Sequence, residues 1–153
     1  MKEPGSSNFK EIIEFAIRRE EEAARSYREM AGQAKTEDLK TMLLELEADE
    51  KSHKAMLQNI TETKVRSSKA APIHDLKISD YLVDENLAPD VDIQGLLIFA
   101  AHKELKAFNL YSALAKKARS PEGKKVFEFL ATQEKSHKLK LETEYDKHIL
   151  TED

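Results

Sequence analysis

Glu50-Lys51-Ser52-His53-Lys54 recurs, residue for residue, as Glu134-Lys135-Ser136-His137-Lys138. Each copy contains Glu-x-x-His, which on a helix places a carboxylate and an imidazole one turn apart on one face. The copies lie 84 residues apart. The same offset relates Glu20 to Glu104, Ala23 to Ala107 and Tyr27 to Tyr111, and it also relates Asn8 to Asp92 and Thr36 to Ser120. A repeat this long is not a solenoid unit. It reads as one helical hairpin present twice, each copy carrying two glutamates and a histidine.

Caps and apolar stripes mark four helices. Asn8 with Glu11 forms a capping box ahead of the stripe Ile13, Ala16, Ala23, Tyr27 and Met30, and Glu20 falls inside that stripe. Thr36 precedes Leu39, Leu43, Leu46, Leu57 and Ile60, with Glu50 and His53 at the two stripe positions between Leu46 and Leu57. Asp92 opens the third stripe, Leu97, Ala100, Ala107, Tyr111 and Leu114, with Glu104 inside it. Ser120-Pro121-Glu122 supplies a cap, an N1 proline and an acid near the positive end of the helix dipole. Phe127, Leu130 and Leu141 follow, with Glu134 and His137 between them. The predicted helices are 9–33, 37–60, 93–118 and 121–148.

Residues 62–91 break the pattern, with Ser67-Ser68, Pro72, Pro89 and an apolar island around Ile78, Tyr81 and Leu82. Two antiparallel hairpins joined in this way need a connection that returns along the bundle. A helix of ~24 residues is ~36 Å long, a span that about eleven extended residues cover. The segment has room for a short helix, or it can exchange hairpins between protomers. The expected fold is all-α: an antiparallel four-helix bundle of two hairpins, with a long crossover between helices 2 and 3, in a single domain over residues 1–153. A homodimer is the expected assembly, with hairpin exchange as one route to it.

Composition narrows the function classes. A chain of 153 residues buries a real core, and 40% apolar with 35% charged residues suits long amphipathic helices. The longest apolar stretch, Leu96 to Ala101, is far too short to span a bilayer. No basic, apolar leader opens the sequence, so a cytoplasmic location is expected and a membrane is not. A net charge of −4 argues against nucleic acid as a partner. There is no cysteine, which excludes disulfides, thiolate metal sites and a built-in rubredoxin-type iron centre.

The repeat also sets heights. With the first turn near residue 35, Glu20 and Glu50 each lie fifteen residues from it, hence ~22 Å away at one level. Glu104 and Glu134 stand fifteen residues either side of a turn near 119. His53 and His137 lie one turn further along. Antiparallel packing places all six side chains in one layer. Four carboxylates in an apolar core are too costly to leave bare, and two divalent ions carry the charge that cancels them. Mixed Glu and His ligands suit iron, manganese or zinc, although four carboxylates are unusual for a closed zinc site. His74, His102 and His148 fall outside this layer, as do Glu21, Glu22 and the four lysines of the repeated pentapeptide.

These residues resemble the ferritin-like superfamily of di-iron carboxylate proteins, specifically its small rubrerythrin-type members. Glu20-x-x-Ala23 with Tyr27, and Glu50-x-x-His53, match the first hairpin of that family. Glu104 with Tyr111, and Glu134-x-x-His137, match the second. The likeness covers residues 9–148 and includes Asp75–Tyr81 of the crossover. It implies two iron ions, with Glu50 and Glu134 bridging them, Glu20 and Glu104 as terminal ligands, and His53 and His137 each binding one ion. It implies that Tyr27 and Tyr111 hydrogen-bond to ligand carboxylates. It further implies a peroxidase- or ferroxidase-like reaction with dioxygen or hydrogen peroxide in oxidative-stress defence. The electrons would come from an external donor such as a rubredoxin-like protein. Rubrerythrins proper carry a further glutamate one turn after the helix-3 ligand, where this chain has Ala107, so the resemblance carries over the ligands and not the complete redox cycle. Two other readings stand beside it: a metal-binding or redox-sensing protein without turnover, and a structural four-helix module with a vestigial site.

Overall fold

The computed structural model describes residues 8–63, 76–82 and 92–151, with backbone alone for 61–63 and 148–151. Four long helices account for most of them: α1 (Phe9–Gln33), α2 (Glu37–Thr63), α3 (Ile93–Lys117) and α4 (Pro121–Thr151). A 3-10 turn, Ile78–Tyr81, lies between α2 and α3, and no strand occurs among the described residues. Most of the predicted crossover, together with His74 and the side chain of His148, lies outside the described residues.

Each helix starts where its cap stands. Glu11 N–H donates to Asn8 Oδ1 at 2.8 Å while Asn8 N–H donates to Glu11 Oε1 at 3.0 Å, a reciprocal capping box. Leu39 N–H donates to Thr36 Oγ1 at 3.2 Å, Gly95 N–H to Asp92 Oδ1 at 2.9 Å, and Gly123 N–H to Ser120 Oγ at 3.0 Å. The C-terminal ends are less well signalled. α2 reaches Thr63 and α4 reaches Thr151, beyond the predicted ends at 60 and 148. No glycine or proline stops either helix there. α3 ends at Lys117, where Ala118 turns to extended backbone.

The chain divides into two compact units. One holds α1 to Gly32, α2 from Lys40, and the 3-10 turn to Asp80. Contacts between its two helices run in opposite directions along the chain: Arg28 meets Glu47 near the turn, whereas Arg19 and Glu21, earlier on α1, meet Glu50 and Lys54, later on α2. α1 and α2 are therefore antiparallel. Ile12, Ile13, Ala16, Leu43, Leu46 and Leu57 are among the buried side chains of this unit. Leu76, just ahead of the 3-10 turn, is buried as well, whereas Leu82 is 55% exposed. The apolar island of the sequence thus contributes an anchor two residues ahead of the predicted cluster.

The other unit holds the α1–α2 turn, Gln33–Leu39, with α3 and α4. Here His137 meets Glu104, and Lys135 lies over the Phe108 ring, the same antiparallel order. Leu97, Leu110, Tyr111, Leu114, Phe127, Leu130 and Leu141 are buried. Alanines 101, 107, 115 and 131 are buried beside these larger residues, allowing close backbone approach along the stripe. No helix among the described residues is long and apolar enough to cross a membrane.

Candidate metal centre

Three charged or polar side chains break the apolar stripe of the first hairpin. Glu20 on α1 and Glu50 on α2 are 0% exposed, and His53 is 1% exposed. Helical spacing puts His53 one turn beyond Glu50 on the same face, and antiparallel packing brings Glu20 opposite. His53 Nδ1 lies 3.1 Å from Glu50 Oε1 and 3.6 Å from Glu20 Oε2. One potential ligand atom from each residue lies within 4.8 Å of the others.

The second hairpin repeats the arrangement. Glu104 on α3 and Glu134 on α4 are 0% exposed, with His137 at 1%. His137 Nδ1 lies 3.2 Å from Glu134 Oε1 and 3.4 Å from Glu104 Oε2. The same 4.8 Å limit holds for this triad. Tyr27 and Tyr111, seven residues after Glu20 and Glu104, are buried on the same helix faces. His102 is exposed, as are Glu22, Lys51 and Lys135, so stripe logic separates these residues from the triads.

The donor set fits a metal ion. Nitrogen and oxygen ligands sit about 2.0–2.2 Å from a transition metal. Two donors of one ion are then ~3.0 Å apart at a right angle and ~3.4 Å apart at a tetrahedral angle, by the same bond lengths. The nitrogen–oxygen separations above lie in and just beyond that range. An imidazole nitrogen with two carboxylate oxygens is the mixture that suits iron, manganese or zinc.

The electrostatics explain why a cation belongs there. Burial pushes the Glu20 carboxyl above its ordinary range, and the neighbouring Glu50 charge pushes it further. The Arg19 guanidinium and the nearby His53 imidazole oppose that rise without cancelling it. Arg19 Nη1 donates to Glu50 Oε2 at 2.7 Å and to Glu20 Oε1 at 3.3 Å. Sequence reasoning missed this guanidinium because Arg19 stands one position off the stripe. The repeat did not single it out, because its counterpart is Lys103, one of many positions at which the two copies differ. Glu47 was missed too. It is buried on α2, with Arg28 at 3.5 Å and Lys51 at 3.2 Å.

Comparison with known proteins shows the family of the chain. The family model described as Rubrerythrin matches residues 11–87 and 96–153, a span that includes all six triad residues. The chain belongs to the rubrerythrin family. No curated protein matches it. Among solved structures it is similar to a candidate ferritin-like diiron-carboxylate protein from Thermotoga maritima, with TM-score 0.80, 23% identity, and coverage of 94% of this chain and 97% of that one. It is also similar to a hypothetical protein from Pyrococcus furiosus, with TM-score 0.69, 24% identity, and coverage of 89% and 87%. At these identities the likeness fixes the fold, which is the ferritin-like four-helix fold. This rubrerythrin-family chain contains no cysteine, so it has no thiolate iron centre of the rubredoxin kind.

Proposed function

We propose that the two triads of this rubrerythrin-family protein together hold two iron ions, and that the loaded protein reduces hydrogen peroxide or dioxygen. The observation that carries this reading is the burial, twice over, of two carboxylates and an imidazole with converging ligand atoms. Such groups are retained in an apolar core only when a cation or a proton compensates them. When bound, the ions supply one-electron transfer and Lewis acidity toward oxygen species.

The protein's own groups then have defined tasks. His53 and His137 each present Nδ1 to the carboxylate oxygens of their triad and are the nitrogen ligands in this reading. Glu50, Glu134, Glu20 and Glu104 would supply the carboxylate ligands, the first pair in the bridging role that the resemblance implies and the second in the terminal one. Tyr27 and Tyr111 lean toward the helix N-terminus, as helical side chains do, which points their hydroxyls back toward the ligand level as hydrogen-bond donors. The apolar surroundings exclude water and keep the carboxylates as ligands rather than solvated ions. A cytoplasmic homodimer served by a rubredoxin-like electron donor fits this reading.

The test is anaerobic loading with ferrous ion, followed by rapid mixing with hydrogen peroxide. One peroxide is reduced to two waters with two protons, as two ferrous ions become ferric. The expected result is oxidation at two irons per chain, slowed at least tenfold in Glu50→Ala or Glu134→Ala. Binding without metal-dependent oxidation sinks the catalytic reading. One observation favours a second reading, metal binding or redox sensing without turnover: Ala107 is buried at the position of the extra rubrerythrin carboxylate. Ferrous oxidation that occurs once and is not renewed by a supplied reductant supports that alternative.

A further inference from the structure

We propose that Arg19 is a displaceable cation of the first triad: it holds a Glu50 oxygen that a metal ion needs and thereby lowers that triad's affinity for metal. The inference rests on reading Glu20, Glu50 and His53 as metal ligands. Each of the two carboxylates is divided between partners. Glu50 turns Oε1 to His53 Nδ1 and Oε2 to Arg19 Nη1, and Glu20 turns Oε2 to the imidazole and Oε1 to the guanidinium. A metal ion that takes Glu50 Oε2 as a ligand competes with the 2.7 Å contact from Arg19 for the electron density of that oxygen.

The chemistry of arginine decides how it opens. A guanidinium does not lose its proton in proteins, so no titration removes the competing charge. The side chain itself has to move. It can do so because it stands at the rim: the Arg19 side chain is 13% exposed where those of Glu20 and Glu50 are 0%. A change of rotamer carries the head group into water while its stem stays against the helix. The exchange also balances charge, because a divalent ion entering beside a retained guanidinium meets a like charge at short range. Lysine is not an equivalent, being a point charge without the planar fork. At the corresponding place in the second hairpin, Lys103 has its ammonium 4.9 Å from the Phe99 ring centroid.

The test compares wild type, Arg19→Gln and Arg19→Lys, all stripped with chelator and titrated with cobalt(II) by calorimetry and visible absorption. Arg19→Gln is expected to bind cobalt more tightly by about tenfold or more, the scale of one charge-assisted hydrogen bond that the ion no longer displaces. Its metal-free form is expected to melt lower than wild type, because two buried carboxylates lose their cation. These opposite signs separate displacement from a merely structural role, which would weaken both. The gain in affinity should disappear when His53→Ala is added and survive when His137→Ala is added. Equal or weaker binding by Arg19→Gln, or a gain that persists with His53→Ala, overturns the role of Arg19. Cobalt uptake by neither wild type nor Arg19→Gln overturns instead the reading of the triad as a metal site. If Arg19→Gln does not fold, Arg19→Lys decides: tighter binding than wild type supports displacement and equal or weaker binding overturns it.

Discussion

Glu20 shows how a single side chain couples folding to charge. Its carboxyl is held above the ordinary glutamate value of 4.5, first by burial and then by Glu50. A raised native pKa means that the stability due to protonation is fully present below the unfolded value and is lost as pH rises through the native one. In chelator at neutral pH, Glu20→Gln is therefore expected to melt several degrees above wild type while losing metal affinity. Near pH 4.5 that advantage should vanish. A variant less stable than wild type at both pH values would falsify this account. The residue scale is also where the sequence was hardest to read. The stripe selected the six triad residues because helical phase is a property of position. Arg19 escaped because its stem starts off the stripe and only its long, forked head group returns to the carboxylates.

At the scale of elements, all four helix starts were legible, and so were the ends of α1 and α3, but not those of α2 and α4. A cap is a local hydrogen bond between a side chain and a backbone N–H three residues on, so four residues of sequence suffice to locate it. All four caps bond as their residue types dictate. An end without glycine or proline is instead set by packing and solvent, which the local sequence does not carry, and α2 and α4 run on accordingly. The crossover shows the same limit: packing selects Leu76 and leaves Leu82 exposed, although both are leucines in one short segment. Ser120 offers a measurement at this scale. Its hydroxyl accepts from Gly123 N–H at 3.0 Å, so Ser120→Ala should destabilise the protein by about 1 kcal/mol in urea unfolding without changing metal stoichiometry. Loss of metal at that position would mean that α4 does not hold Glu134 and His137 independently of its cap.

At the scale of the whole molecule, the repeat by itself makes the architecture readable. Caps, stripes and ligands all obey one offset, and levels that agree in this way specify a fold. The family match over residues 11–87 and 96–153 and the likeness to a solved ferritin-like structure accord with that pattern. What the offset does not encode is the asymmetry between Arg19 and Lys103, which lies in the individual side chains. If metal binds the native state alone, chelation should lower the melting temperature. Free metal at one hundred times its dissociation constant stabilises by about 2.7 kcal/mol, which is several degrees for a chain of this size. An unchanged melting curve with chelator would identify the triads as vestigial. The depth of the triads has a kinetic consequence as well. With all six triad residues 0–1% exposed, an ion held there would have to await a local opening of its surroundings before leaving. Metal residence time should then follow the rate of local opening, so that amide protons near Glu50 and Glu134 exchange with deuterium no faster than the metal departs. Burial would make this centre a slow clock, set by the breathing of its helices rather than by the strength of its bonds.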